Sequence, residues 1–175
     1  MNSDFLVIGC GIAGLSFALK AAQHGSVTII TKGKAMESNT AWAQGGIAGV
    51  LPEDLREKGD NIESHVADTL DAGAGLCNEN VVRVILSEAA QTLQELMDSG
   101  VDFDKESDDD KLFSLGKEGG HSHRRILHSK DTTGKEIAES LIEKARSHPA
   151  ITLLEEHFAI DLITTGKLGM VSEDR

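Results

Sequence analysis

The chain has 175 residues, 39% of them hydrophobic and 26% charged, with a formal net charge of −12. That is the composition of a soluble globular unit, either one ordinary domain or part of a larger one. The negative balance excludes a large nucleic-acid or anionic-membrane face, and no apolar run reaches the roughly 20 residues that span a bilayer. The two cysteines, Cys10 and Cys77, have neither CxxC spacing nor zinc-like partners, and read as free thiols in a reducing compartment. Asp4 stands where a signal peptide needs Lys or Arg, so no targeting segment is read and a cytoplasmic location is expected.

Phe5 to Ile8 is a short apolar run that predicts a buried parallel strand. Gly9-Cys10-Gly11-Ile12-Ala13-Gly14 follows with G-x-G-x-x-G spacing. Apolar residues then recur at helical intervals (Ile12, Leu15, Leu19, Ala22) to about Gln23. Gly25 stops that helix, and Val27 to Thr31 predicts a second β-branched strand. A strand–helix–strand unit of about 30 residues is the context a dinucleotide fingerprint requires. In such a unit Gly9 permits the tight turn, Gly11 leaves the backbone open to a diphosphate, and Gly14 lets helix and sheet pack closely. The helix N-terminus offers unpaired N–H groups to the phosphates. Cys10 reads as a small turn residue rather than a redox centre. The acid usually found at the end of the second strand is replaced by Thr31-Lys32-Gly33, which leaves FAD, NAD and NADP open.

From Lys34 to Asn61 no long periodic pattern appears, and such a segment in a compact domain is usually functional. In "NTAWAQGGIAG", Asn39, Thr40 and Gln44, with Ser38 before them, supply hydrogen bonds. Ala41, Ala43, Gly45 and Gly46 let backbone approach a flat ligand, while Trp42, Ile47, Val50 and Leu51 argue against a free linker. The following "PEDLREKGDN" reads as a solvated excursion. A short helix is predicted from Ser64, ended by Gly73. Asn78 or Asn80 caps a longer one to about Ser99, with the stripe Val82, Ile85, Ala89, Leu93 and Leu96. The acidic run Asp104 to Lys111 lacks EF-hand spacing and reads as a solvated loop, so no metal site is assigned.

"LGKEGGHSHRRILHSKDTTGKE" gathers Glu118, His121, His123, Arg124, Arg125 and His128. Adjacent arginines would repel a zinc ion but suit bidentate recognition of a carboxylate or phosphate. The alternative is a structural loop whose arginines pair with acids, and residue types alone do not decide between the two. Thr132 or Thr133 caps a helix to Ser147, stopped by Pro149, and "ITLLEEHFAIDLIT" predicts one or two strands.

These motifs resemble the flavoprotein family of L-aspartate oxidase, succinate dehydrogenase and fumarate reductase. "NTAWAQGGIAG" resembles that family's flavin-wrapping loop, and Lys32 after Thr31 fits its Ser/Thr-Lys pair, which favours FAD. "EGGHSHRRILH" with "DTTGKE", and "SHVADTLDAGAGLC", resemble the L-aspartate oxidase branch in particular. Where many relatives carry a histidine joined covalently to the flavin, this chain has Asn39, so the resemblance implies non-covalent FAD. It also implies an α/β, Rossmann-like FAD-binding domain with a parallel sheet. Residues 1–175 would be its N-terminal part, without the capping and C-terminal helical domains of the larger flavoprotein.

Carried over by residue, Gly9, Cys10, Gly11, Ile12, Ala13 and Gly14 would hold the pyrophosphate and Lys32 would lie near the adenosine ribose. Asn39, Thr40, Ala41, Trp42, Ala43, Gln44, Gly45 and Gly46 would line the flavin. Glu118 would meet the substrate ammonium group. The implied reaction is oxidation of L-aspartate to iminoaspartate for NAD biosynthesis, with oxygen or fumarate as electron acceptor and quinolinate synthase as a partner. The cationic partners of the two substrate carboxylates lie downstream in this family, so the chain alone is expected to be inactive. A succinate dehydrogenase or fumarate reductase flavoprotein, and a non-catalytic FAD- or NADP-binding module, are the rival expectations.

Overall fold

The computed structural model describes residues 2–107 and 111–169. Residues 108–110 of the acidic run, and 170–175, lie outside the described residues. In chain order the elements are β1 (Phe5–Ile8), α1 (Ile12–Ala21), β2 (Val27–Ile30), α2 (Asn39–Trp42) and β3 (Ile47–Ala48). They continue with α3 (Ile62–Ala72), α4 (Glu79–Ser87), α5 (Ala89–Met97), β4 (Ile126–Leu127), α6 (Thr133–Ser147) and β5 (Ile151–Leu154).

The predicted strand–helix–strand unit forms, and β1 and β2 pair in parallel with Phe5 opposite Val27 and Ile8 opposite Ile30. β5 joins β2 on its other side, also in parallel, giving the order β1-β2-β5. Parallel neighbours need a crossover, and α6 supplies the return to β5. Its stripe Ile137, Ala138, Leu141, Ile142 and Ala145 is buried in one core with Leu15, Ala18, Val27 and Ile29. α1 and α6 pack against each other over that core. β3 and β4 form a separate antiparallel pair, Ile47 opposite Leu127 and Ala48 opposite Ile126, extended by a bridge from Gly116 to Ile126.

Several expectations need correction. β1 is not buried on both faces. Leu6 and Ile8 are each 56% exposed, while Val7, which points to the other face of the strand, is buried. The helix expected from Ser64 starts two residues earlier, since Asn61 caps it and makes a reciprocal capping box with Ser64. The long helix expected to about Ser99 is two helices meeting at Glu88, with Asn78 as the cap of the first. A single stripe therefore does not hold: Leu93 and Leu96 are buried, but Ile85 is 60% exposed. The final apolar stretch, expected to give one or two strands, gives one, β5, as that reading allowed, and Phe158, Ile160, Leu162 and Ile163 after it are exposed.

The supposed solvated excursion is only partly so. Leu55 packs on the core and Asp60 is 2% exposed, because Asp60 has a buried cationic partner. In the acidic run, Asp104 is engaged by the His128 ring and the Lys130 N–H.

Candidate functional site

The first turn of α1 is built by glycine. Gly9 has φ +109°, a conformation that side chains with a Cβ rarely adopt, and its N–H donates to Ile30 O at 2.9 Å. A Cβ on Gly14 would lie 2.2 Å from the carbonyl oxygen of Gly9, so helix and strand meet at a distance only glycine allows. Gly11 makes no side-chain cap, and no acid stands in the first turn. Neither a cap from Gly11 nor an acid thus offsets the positive end of α1, which suits an anion. Cys10 turns its side chain into the core, and burial raises its thiol pKa, so it can offer only backbone here. Lys32 is exposed just beyond β2.

The glycine-rich segment returns to this turn. Ser38 caps α2 by accepting from Ala41 N at 3.2 Å. Thr40 Oγ1 accepts from Ile12 N, the opening N–H of α1, at 3.0 Å. Asn39, Trp42, Ala43, Gln44 and Gly45 are exposed, Thr40 and Ala41 half-buried, and a Cβ on Gly45 would meet nothing within 4 Å. Gly46 is seated instead: its Cβ would fall 2.3 Å from Leu127 O. One side of the segment is therefore fixed to protein and the other left open beside the α1 turn.

The basic knot resolves into unequal halves. Arg125 is fully buried and is a structural residue, so it is not free to receive an anionic ligand. Its guanidinium donates to Asp60 at 2.7 Å and to Asp68 at 2.5 Å, and reaches Ser64 Oγ at 3.1 Å. Burial pushes the Asp68 carboxyl up, but the Ser122 N–H, the Arg125 guanidinium and the Ser122 hydroxyl together lower it to about 2. Burial, then Arg125 and His121, push the His65 imidazole down, and its Nδ1 is buried without a hydrogen-bond partner. The His65 and His121 rings lie 5.5 Å apart.

Arg124 is exposed, its N–H donating to the Glu57 carboxylate, and it borders a shallow cleft of about 570 Å³ with Arg56 and Phe113. Glu118 is exposed on a turn closed by His121 N donating to its carbonyl at 3.3 Å. The strand pairing from Ala48 through Ile126 to Gly116 lays this loop beside the glycine-rich segment.

Sequence reasoning missed Asp60, Asp68 and Ser122, which hold Arg125 and the loop. It also missed the role of Gly134, whose N–H donates to Ala43 O at 3.1 Å. A glycine at the second position of a helix was the available signal.

The FAD binding domain family matches residues 4–173. The chain belongs to this family. FAD is the cofactor the family implies, and the α1 terminus with glycine at its N-cap, the Gly9–Gly14 contact and the open face at Gly45 fit a diphosphate and a flat ring.

The chain is 53% identical over 169 residues to an L-aspartate oxidase of Vibrio cholerae, covering 95% of this chain and 31% of that protein. It is 49% identical to the L-aspartate oxidase of Yersinia pestis, covering 99% of this chain and 32% of that protein. The chain therefore spans about a third of the length of these relatives. Among solved structures it resembles E. coli quinol fumarate reductase FrdA with TM-score 0.83 and 28% identity, over 92% of this chain and 27% of that one. Mycobacterium smegmatis Sdh1 matches with TM-score 0.75 and 29% identity, over 88% of this chain and 27% of that chain. No helix among the described residues is long and apolar enough to cross a membrane. A similar L-aspartate oxidase from Arabidopsis thaliana, 47% identical over 163 residues, is named chloroplastic.

Proposed function

We propose that residues 1–175 are the N-terminal, cofactor-holding part of an FAD-dependent L-aspartate oxidase that converts L-aspartate to iminoaspartate for NAD biosynthesis. The observation that carries this reading is the 53% identity to an L-aspartate oxidase over 95% of this chain, and the 3.0 Å hydrogen bond from Ile12 N to Thr40 Oγ1, which joins the first turn of α1 to the alanine–glutamine–glycine segment, supports its cofactor part. FAD, when bound, supplies the two-electron acceptor for the hydride leaving the substrate Cα.

The backbone of Gly9, Cys10, Gly11, Ile12, Ala13 and Gly14 receives the diphosphate at the α1 terminus. Lys32 lies toward the adenosine end. Asn39, Thr40, Ala41, Trp42, Ala43, Gln44, Gly45 and Gly46 present the flavin-lining surface, and Asn39 leaves the cofactor non-covalent. Glu118 has the charge to receive the substrate ammonium. The substrate carboxylates need cations. Arg125 is already committed to Asp60 and Asp68, which supports a downstream source for those cations, in a capping domain. The exposed Leu6, Ile8, Phe158 and Ile160 fit a face that further polypeptide covers. Oxygen or fumarate would accept the electrons, quinolinate synthase would take the product, and the setting would be cytoplasmic.

The test is a chimera in which this chain replaces the matching segment of the Vibrio cholerae relative. Aspartate-dependent flavin bleaching with peroxide release, and flavin freed by acid precipitation, is the expected result. Bleaching by succinate with acid-stable flavin would support a dehydrogenase instead, and flavin binding with no bleaching by either would support a binding module.

A further inference from the structure

We infer that Gly134 is a positioning residue for the cofactor: it sets where residues 40–43 sit against the phosphate turn, and rests on the FAD reading above. α2 is four residues long, too short to hold its own shape. It is held from two sides. On one, Thr40 Oγ1 accepts from Ile12 N. On the other, the start of α6 lies against it: a Cβ on Gly134 would fall 2.0 Å from Thr40 O, 2.7 Å from Ala43 O and 2.8 Å from Ala43 Cβ.

Gly134 N also donates to Ala43 O at 3.1 Å, so an opening N–H of α6 satisfies a closing carbonyl of α2. The positive end of one helix thus meets the negative end of the other. α6 can act as a fixed strut because its 15 residues carry a fully buried stripe. Its first residue, Thr133, is 1% exposed and accepts from Ser129 N at 3.0 Å. Glycine is the poorest helix former after proline. Its presence in this first turn is explained by the contact, since any Cβ would drive α6 and the segment apart. A real Cβ keeps at least 3.0 Å from such atoms, so the displacement would be about 1 Å. That shift would draw Thr40 away from Ile12 and move Trp42, Ala43 and Gln44 relative to the α1 turn.

The experiment compares Gly134→Ala with Leu141→Ala, a core truncation farther along the same helix. FAD and ADP-ribose affinities are measured, together with amide exchange at Ile12 and Ala43 without ligand. Gly134→Ala should weaken FAD about tenfold and speed exchange at both amides, with ADP-ribose affinity changed by less than about twofold. Leu141→Ala should lower the thermal midpoint while leaving both affinities within about twofold. Unchanged FAD affinity in Gly134→Ala, or an equal loss in Leu141→Ala, overturns the inference but leaves the cofactor reading intact. A wild-type chain that binds neither ligand overturns both. Should Gly134→Ala fail to fold, Thr133→Val, which removes the acceptor for Ser129 N, should weaken FAD about fivefold while Thr133→Ser restores it. Equal affinities in that pair overturn the inference.

Discussion

The α1 turn with its 39–46 partner segment, and the 57–68 region with its 116–128 partner loop, are built by opposite means. In the first, glycines and small residues bring backbones together: Gly14 against Gly9, Gly46 against Leu127, and Ile12 N on the Thr40 hydroxyl. In the second, charged side chains that look chemical are mostly committed to one another, with Arg125 enclosed by Asp60, Asp68, Ser64 and Ser122. The most conspicuous cation is structural, and the ligand surface proposed above is built from backbone and small residues instead.

The largest effect should come from breaking the second region. Arg125→Met leaves Asp60, itself 0% exposed at the side chain, as a buried carboxylate without its guanidinium, and should cost about 3–5 kcal/mol in denaturant unfolding. If Arg125 served a ligand instead, the variant would unfold like wild type. Gly14→Ala strikes the first region: its Cβ would press on Gly9 O, costing about 1–3 kcal/mol and removing FAD binding in a flavin titration.

Acid sharpens the contrast. The folded pKa of Asp68, about 2, lies below its usual 3.8. The group's stability contribution is therefore complete above roughly pH 5 and lost as pH falls toward 2. The urea midpoint of wild type should fall steeply through that window, and that of Asp68→Asn less so. The smallest effect belongs to Thr40→Val, which removes one acceptor: about 1 kcal/mol of stability and a few-fold loss of FAD affinity, with Thr40→Ser close to wild type.

What the sequence revealed follows the same division. The β1–α1–β2 unit was legible because its signals are local: an apolar run, glycine spacing, then a β-branched run. Thr40 and Gln44 could be singled out because a small, polar, glycine-rich segment is rare in a compact domain. The roles of Arg125 and Asp60 were not legible, because their pairing spans 65 residues and no local pattern reports it. Gly134 was hidden for the same reason: its partners, Thr40 and Ala43, lie far earlier in the chain. The break at Glu88 escaped because one helical stripe and two consecutive ones look alike until their burial is known.

The central claim is that the diphosphate sits at the α1 turn while the flavin lies against residues 41–46. The chain's single tryptophan, Trp42, is 75% exposed on that segment, so its emission reports directly on an approaching flavin. Titrating the chain with FAD should quench Trp42 saturably, and ADP-ribose, which lacks the ring, should compete without quenching. FAD binding that leaves Trp42 emission unchanged would place the flavin elsewhere and contradict the claim.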